Sequence, residues 1–171
     1  TPGDIKAFSN APIKDSKTLE NGQIERRFKA TPPLPSYLVA TAIGPLDVAQ
    51  KPSADLKRKD GSVLPIRILT VKGRAKDAEY ALEEAGRVVA IQEEYFGIHY
   101  PYAKLDLVAV PDFGAGAMEN AGLITYRDRM LLFDKKTGTE DELRGYIGIH
   151  AHEVAHMWFG DLVTMAWWDD L

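Results

Sequence analysis

Thr139-Glu140-Asp141-Glu142 opens a stretch that runs to His152-Glu153-Val154-Ala155-His156-Met157-Trp158-Phe159-Gly160. Thr139 and Glu142 have the spacing of a capping box, in which each side chain serves the other residue's backbone N–H. The pattern predicts a helix from there to about Phe159, with Gly160 as its stop. On such a helix His152 and His156 lie one turn apart on one face, near enough to share one ion. Zinc accepts neutral imidazole nitrogen, so the pair supplies half of a tetrahedral shell. Glu153 follows the first histidine, and its carboxylate can reach a metal-bound water and take a proton from it. Ala151, Val154, Ala155, Met157, Trp158 and Phe159 surround these groups with apolar surface. Two imidazoles and a carboxylate in such a stretch are costly to bury unless they have partners or a task. His150, two residues before His152, points about 200° away from it on a helix and is read as a second-face residue. His99 falls in a turn, Gly97-Ile98-His99-Tyr100-Pro101, and is read as a structural or exposed loop residue.

Upstream, the apolar stripe at Ala78, Leu82, Ala85, Val89 and Phe96 predicts another helix. Asp77 is its expected N-cap and Gly97 its C-terminal glycine. Leu105 to Val110 and Leu123 to Tyr126 read as strands on either side of a glycine-rich segment. Before residue 71 the chain reads as β-type, with expected strands at 24–29, 37–43 and 66–71. Pro32, Pro33 and Pro35 separate the first two, because proline cannot serve a central strand. The polar, turn-rich residues 51–61 suit a hairpin or loop. The expected fold is mixed α/β, in the α+β sense. The expected division places residues 1–70 at the end of an N-terminal β-rich domain and residues 71–171 in the first part of a second domain.

The 171 residues carry 21 Lys+Arg against 25 Asp+Glu, a net charge of −4, which argues against nucleic acid as a partner. No apolar run approaches the roughly 18 residues that span a bilayer. There is no cysteine, which removes a disulfide scaffold, a thiol nucleophile and a Cys-ligated zinc, but leaves the compartment open. The chain opens Thr1-Pro2-Gly3-Asp4 and ends just after Trp167-Trp168-Asp169-Asp170, so it is expected to be an internal piece of a longer polypeptide.

The segment from His152 to Met165, followed by Trp167-Trp168-Asp169-Asp170-Leu171, resembles the zinc segment of the aminopeptidase N (alanyl aminopeptidase) family of gluzincins. Gly116-Ala117-Met118-Glu119-Asn120, followed by Ala121-Gly122-Leu123-Ile124-Thr125-Tyr126, resembles that family's exopeptidase signature, and 33 positions separate Glu119 from His152. The likeness is strong from about residue 66 to residue 171 and weaker over 24–48.

The resemblance implies a thermolysin-like catalytic domain binding one zinc ion. His152 and His156 would be its ligands and Glu153 the general base. Gly116, Ala117, Met118, Glu119 and Asn120 would line the substrate site, with Glu119 taking the free α-amine of a peptide. Charge recognition at a fixed distance from the metal suits that role, because it decides which peptide bond meets the activated water. The family's third ligand, a glutamate, and its oxyanion-stabilising tyrosine are expected beyond Leu171. The isolated chain is therefore expected to turn over weakly or not at all. Two further readings stand beside this one: a non-catalytic structural piece of such an enzyme, and a related gluzincin hydrolase.

Overall fold

The computed structural model describes Pro2 and residues 5–170. Thr1, Gly3, Asp4 and Leu171, at the ends of the stretches read above, lie outside the described residues. The strands before the first long helix are β1 (Lys6–Ser9), β2 (Ile13–Thr18), β3 (Ile24–Phe28), β4 (Thr41–Gly44), β5 (Leu46–Ala49), β6 (Leu56–Lys57), β7 (Val63–Leu64) and β8 (Ile66–Val71). Then come α1 (Glu79–Phe96), β9 (Leu105–Val110), β10 (Ala117–Met118), β11 (Leu123–Arg127), α2 (Asp128–Leu131) and α3 (Glu140–His156). The mixed α/β class expected from the sequence is what the chain forms.

Its centre is a five-stranded sheet in the order β10-β11-β9-β8-β5. β8, β9 and β11 are parallel, and the two edges, β5 and β10, run antiparallel to their neighbours. A parallel pair needs a crossover, and α1 supplies the one between β8 and β9. β5 and β8 precede residue 71, yet they pair into the sheet that carries β9 to β11.

Alternation along the strands gives the sheet two apolar faces. Ile66, Ile68, Leu105, Leu107, Ile124 and Tyr126 meet Ala81, Leu82, Ala85 and Val89 of α1 and Tyr146 and Val154 of α3. Each large side chain fully buried there contributes roughly 1.5–3 kcal/mol. Leu69, Val108 and Leu123 form the second face and are covered by Phe8 of β1. β1 and β4 are thus packed onto the back of the sheet that carries the candidate site.

Three local expectations are corrected. Residues 36–38 form a 3-10 turn, and of the expected strand at 37–43 only residues 41–43 pair, within β4, because the turn sends Leu38 into the interior. Asp77 does not cap α1. It sits in a 3-10 turn at Ala75–Ala78 and pairs with Arg74 at 2.8 Å, leaving Ala78 at the helix start. α3 ends at His156 and not at Phe159. Past it, the N–H groups of Asp161, Leu162 and Val163 bond back to the carbonyls of His156, Met157 and Trp158, a wider turn than an α-helix makes. Gly160, at φ 135°, closes it. The capping box of Thr139 and Glu142 and the left-handed Gly97 after α1 are as read from the sequence.

Candidate active site

α3 owes its place to contacts along its length. The Gln92 side chain on α1 donates to the Ala151 carbonyl at 2.7 Å. Trp158 stacks on Phe96 with ring centroids 5.1 Å apart and donates to the Ile98 carbonyl at 3.0 Å. These contacts set the helix so that Tyr146, His150, Glu153 and Val154 face inward. His152 is then exposed and His156 half-exposed, so burial falls on Glu153 and not on the imidazole pair. His150 is also buried: its Nδ1 is 2.9 Å from the Tyr126 hydroxyl and its ring stacks on Tyr146. Burial lowers its pKa to about 4, so it is a neutral core histidine that faces away from the pair. His99 is exposed at its turn, 3.2 Å from Glu93.

The Nε2 atoms of His152 and His156 are 3.0 Å apart. Two nitrogens each about 2.0–2.1 Å from one tetrahedral ion would be about 3.3 Å apart, so the pair is close to the spacing that a shared ion requires. His156 Nδ1 lies 3.1 Å from the Phe159 carbonyl. When Nδ1–H donates there, Nε2 keeps its lone pair for a cation, the arrangement typical of metal-bound histidine. Among the described residues, no group of three or more His, Asp or Glu side chains is placed to hold a metal.

Glu153 is one residue past the first histidine, and its Oε2 is buried without a hydrogen-bond partner among the described residues. Burial, together with the charge of Glu119, raises its pKa to about 7, although His156 pulls the other way. It can therefore exchange a proton near neutral pH. The effect of Glu119 on Glu153 places the signature glutamate within electrostatic reach of the helix. Packing agrees, since α3 lies against β10 and a Cβ on Gly116 would come within 3.1 Å of Ile149.

β10 holds Ala117 and Met118 in antiparallel register with Tyr126 and Thr125, and it is the sheet's edge strand. Glu119 follows it, half-buried. Asn120 is buried and turned into the loop itself: its Oδ1 accepts from the Thr125 hydroxyl at 3.0 Å, and its carbonyl accepts from Leu123 N–H at 2.9 Å. The Arg127 guanidinium holds the entry to the segment, donating to the Phe113 and Gly114 carbonyls at 2.8 and 2.6 Å.

Sequence reasoning did not single out Asp161. It is 3% exposed, and both carboxylate oxygens are buried without partners among the described residues. Burial, then the charges of Glu119 and Glu153, raise its pKa to about 8. A charged residue between Gly160 and the apolar Leu162-Val163 is the signal that could have found it. Three carboxyl groups therefore interact at this end of α3, beside two imidazoles.

A peptidase family M1 domain matches residues 80–171. The chain is 40% identical over 171 residues to aminopeptidase M1-A of Oryza sativa subsp. japonica, covering 99% of this chain and 18% of that protein. It is 42% identical over 165 residues to endoplasmic reticulum aminopeptidase 1 of Homo sapiens, covering 96% and 17%. To aminopeptidase M1 of Arabidopsis thaliana it is 37% identical over 170 residues, covering 99% and 18%. The chain thus spans less than a fifth of the length of these relatives.

Proposed function

The chain belongs to peptidase family M1, and on that premise we propose that it is part of a zinc-dependent aminopeptidase that removes residues from the free N-terminus of peptides. Residues 71–171 open its thermolysin-like catalytic domain and residues 1–70 end a β-rich domain before it, with β5 and β8 knitting the two together. The observation that carries this reading is the juxtaposition on α3. Two Nε2 atoms stand 3.0 Å apart, and the residue after the first histidine is a buried carboxyl group with one oxygen unpartnered among the described residues.

His152 and His156 would hold the zinc ion, with a third protein ligand beyond Leu171. When bound, zinc supplies Lewis acidity to the scissile carbonyl and lowers the pKa of water toward about 7. Glu153 accepts the proton of the attacking water and delivers it to the departing amine. Glu119 binds the α-ammonium of the substrate. Ala117 and Met118 present the open edge of β10 to the peptide, since an edge strand offers unpaired main-chain donors and acceptors. Gly116 and Asn120 hold that edge and Glu119 in register.

The test compares an aminoacyl anilide bearing a free amine with its N-acetylated form, using the full-length polypeptide before and after chelation. Turnover of the free-amine substrate alone, lost with the chelator and restored by zinc, is the expected result. Cleavage of both substrates would favour the related endo-acting hydrolase. No turnover from a zinc-loaded protein would leave the structural-piece reading standing.

A further inference from the structure

Ala121, two residues after Glu119, is bonded to a side chain more than a hundred positions earlier. Asn10, buried at the end of β1, donates from Nδ2 to the Ala121 carbonyl at 2.8 Å and to the Leu38 carbonyl at 2.8 Å. Its Oδ1 accepts from the Ala40 N–H at 3.0 Å. One amide group therefore joins three points: the strand before it, the approach to β4, and the exit of the glycine-rich segment. Gly122, at φ 69°, makes the fit close, because a Cβ there would lie 2.6 Å from the Asn10 carbonyl oxygen. The Gly122 carbonyl is held from the other side by Lys104 Nζ at 2.6 Å and by Asp106 N–H at 3.2 Å. The segment bearing Glu119 is thus clamped at its entry by Arg127 and at its exit by Asn10.

We infer that Asn10 is a positioning residue for Glu119: the N-terminal β segment reaches through this amide to fix the carboxylate that reads the substrate's free amine. The inference rests on the proposed aminopeptidase function. Its chemistry is specific to an amide at position 10. Two carbonyls need donors and one N–H needs an acceptor, which Asn satisfies and neither Asp nor Ala does. With the clamp open the loop gains freedom, and small misplacements of a charge-reading group weaken recognition steeply.

The experiment uses the full-length polypeptide with Asn10→Ala, Asn10→Asp and the neighbouring Ser9→Ala. Ser9 Oγ donates to the Ala40 carbonyl at 2.9 Å, so its loss loosens the same strand approach without touching the Glu119 segment. With zinc content equal in all preparations, both Asn10 variants are expected to raise KM for a free-amine anilide about tenfold or more, with kcat within about threefold. Amide exchange over residues 116–123 should also quicken, and Ser9→Ala should leave both readouts near wild type. Should Asn10→Ala be insoluble, Asn10→Ser, which keeps one donor, is measured in its place and should give a smaller rise in KM. An unchanged KM in a folded Asn10 variant, or the same rise in Ser9→Ala, overturns the inference while the aminopeptidase reading stands. A zinc-loaded wild type that turns over free-amine and N-acetylated substrates alike overturns that reading and this inference with it.

Discussion

Replacing Glu119 by Gln keeps the shape of the side chain and removes one negative charge from a half-buried position. In the structure that charge is felt by both neighbouring acids. After burial itself, it is the next cause holding Glu153 and Asp161 above the usual carboxylate range. In the proposed site, a substrate ammonium entering this cluster of carboxyl groups would meet its partner where water is already partly excluded. Losing one member of a buried ion pair costs about 3–5 kcal/mol. Glu119 is only half-buried, so the lower half of that range applies, and each 1.4 kcal/mol is tenfold. The expected result is a loss of about two to three decades in kcat/KM on free-amine anilides. An N-acetylated anilide has no ammonium to lose and should be affected little. Zinc content should be unchanged, because Glu119 follows β10 and is not on the helix that carries the imidazole pair. The assay is kcat/KM on both substrates in wild type and variant, with zinc quantified in each preparation. An equal loss on both, or a variant stripped of zinc, would mean that Glu119 supports the site structurally and does not read the N-terminus.

Glu153→Gln should keep zinc while losing about 10²–10⁴-fold in turnover, since an amide cannot accept the proton; loss of zinc from this variant would place Glu153 in the wrong role. Asp106, fully buried on β9, is bonded by Arg67 through two 2.7 Å contacts and by Lys104 at 2.8 Å. Asp106→Asn would leave the buried ammonium without its counter-charge and should destabilise by about 3–5 kcal/mol in urea unfolding followed by tryptophan fluorescence, whereas a loss below about 1 kcal/mol would show the pair to be solvated. Burial alone would raise the Glu93 carboxyl, but Arg58, the Tyr100 N–H and His99 together hold it below the usual range. A depressed folded pKa means stability that is present above the unfolded value, about 4.3, and lost as pH falls through the folded one. Glu93→Gln should therefore lower Tm clearly at pH 7 and little at pH 3, and an equal deficit at both would refute the linkage.

Local chemistry made the helices readable. The Thr139 and Glu142 exchange, the four-residue spacing of His152 and His156 and the glycine after α1 all act within a turn or two of chain, so the sequence displays them directly. The same holds for the strands at 66–71, 105–110 and 123–127, whose apolar runs match a sheet buried on both faces. What stayed hidden depends on distant partners. Phe8 and Asn10 sit in a segment with no strong pattern, and their importance comes from Leu69 and Ala121, far along the chain. The turn at 36–38 had the composition of a strand, and only the pull of Leu38 into the interior decides against it. Which of the motif's side chains is buried was hidden for a similar reason. Which face of α3 is inward is set by Gln92, Phe96 and the sheet, and those contacts turn Glu153 in and leave His152 outside.

That rotation of α3 would let the proposed metal binding and proton transfer sit on adjacent residues without competing. His152 and His156 lie on the open side of the helix, where an ion and a substrate can reach them, and Glu153 lies on the wall against the sheet. The wall is also where β10 and Glu119 stand, since α3 packs on β10 and Gly116 touches Ile149. β10 is held by β11, and β11 by five parallel pairs with β9, from Leu123–Asp106 to Arg127–Val110. The distance from the imidazole pair to Glu119 is therefore set by the helix, by the sheet that ends in β10, and by the clamped loop that follows β10. An exopeptidase needs that distance to be constant, because it alone decides which bond lies at the metal. Glu153 Oε2 and both Asp161 oxygens, buried without hydrogen-bond partners among the described residues, are the counterpart in energy: such groups are costly to keep in a core. Glu153 stands where the proposed chemistry needs a proton acceptor, beside the Glu119 carboxylate that would meet an incoming ammonium.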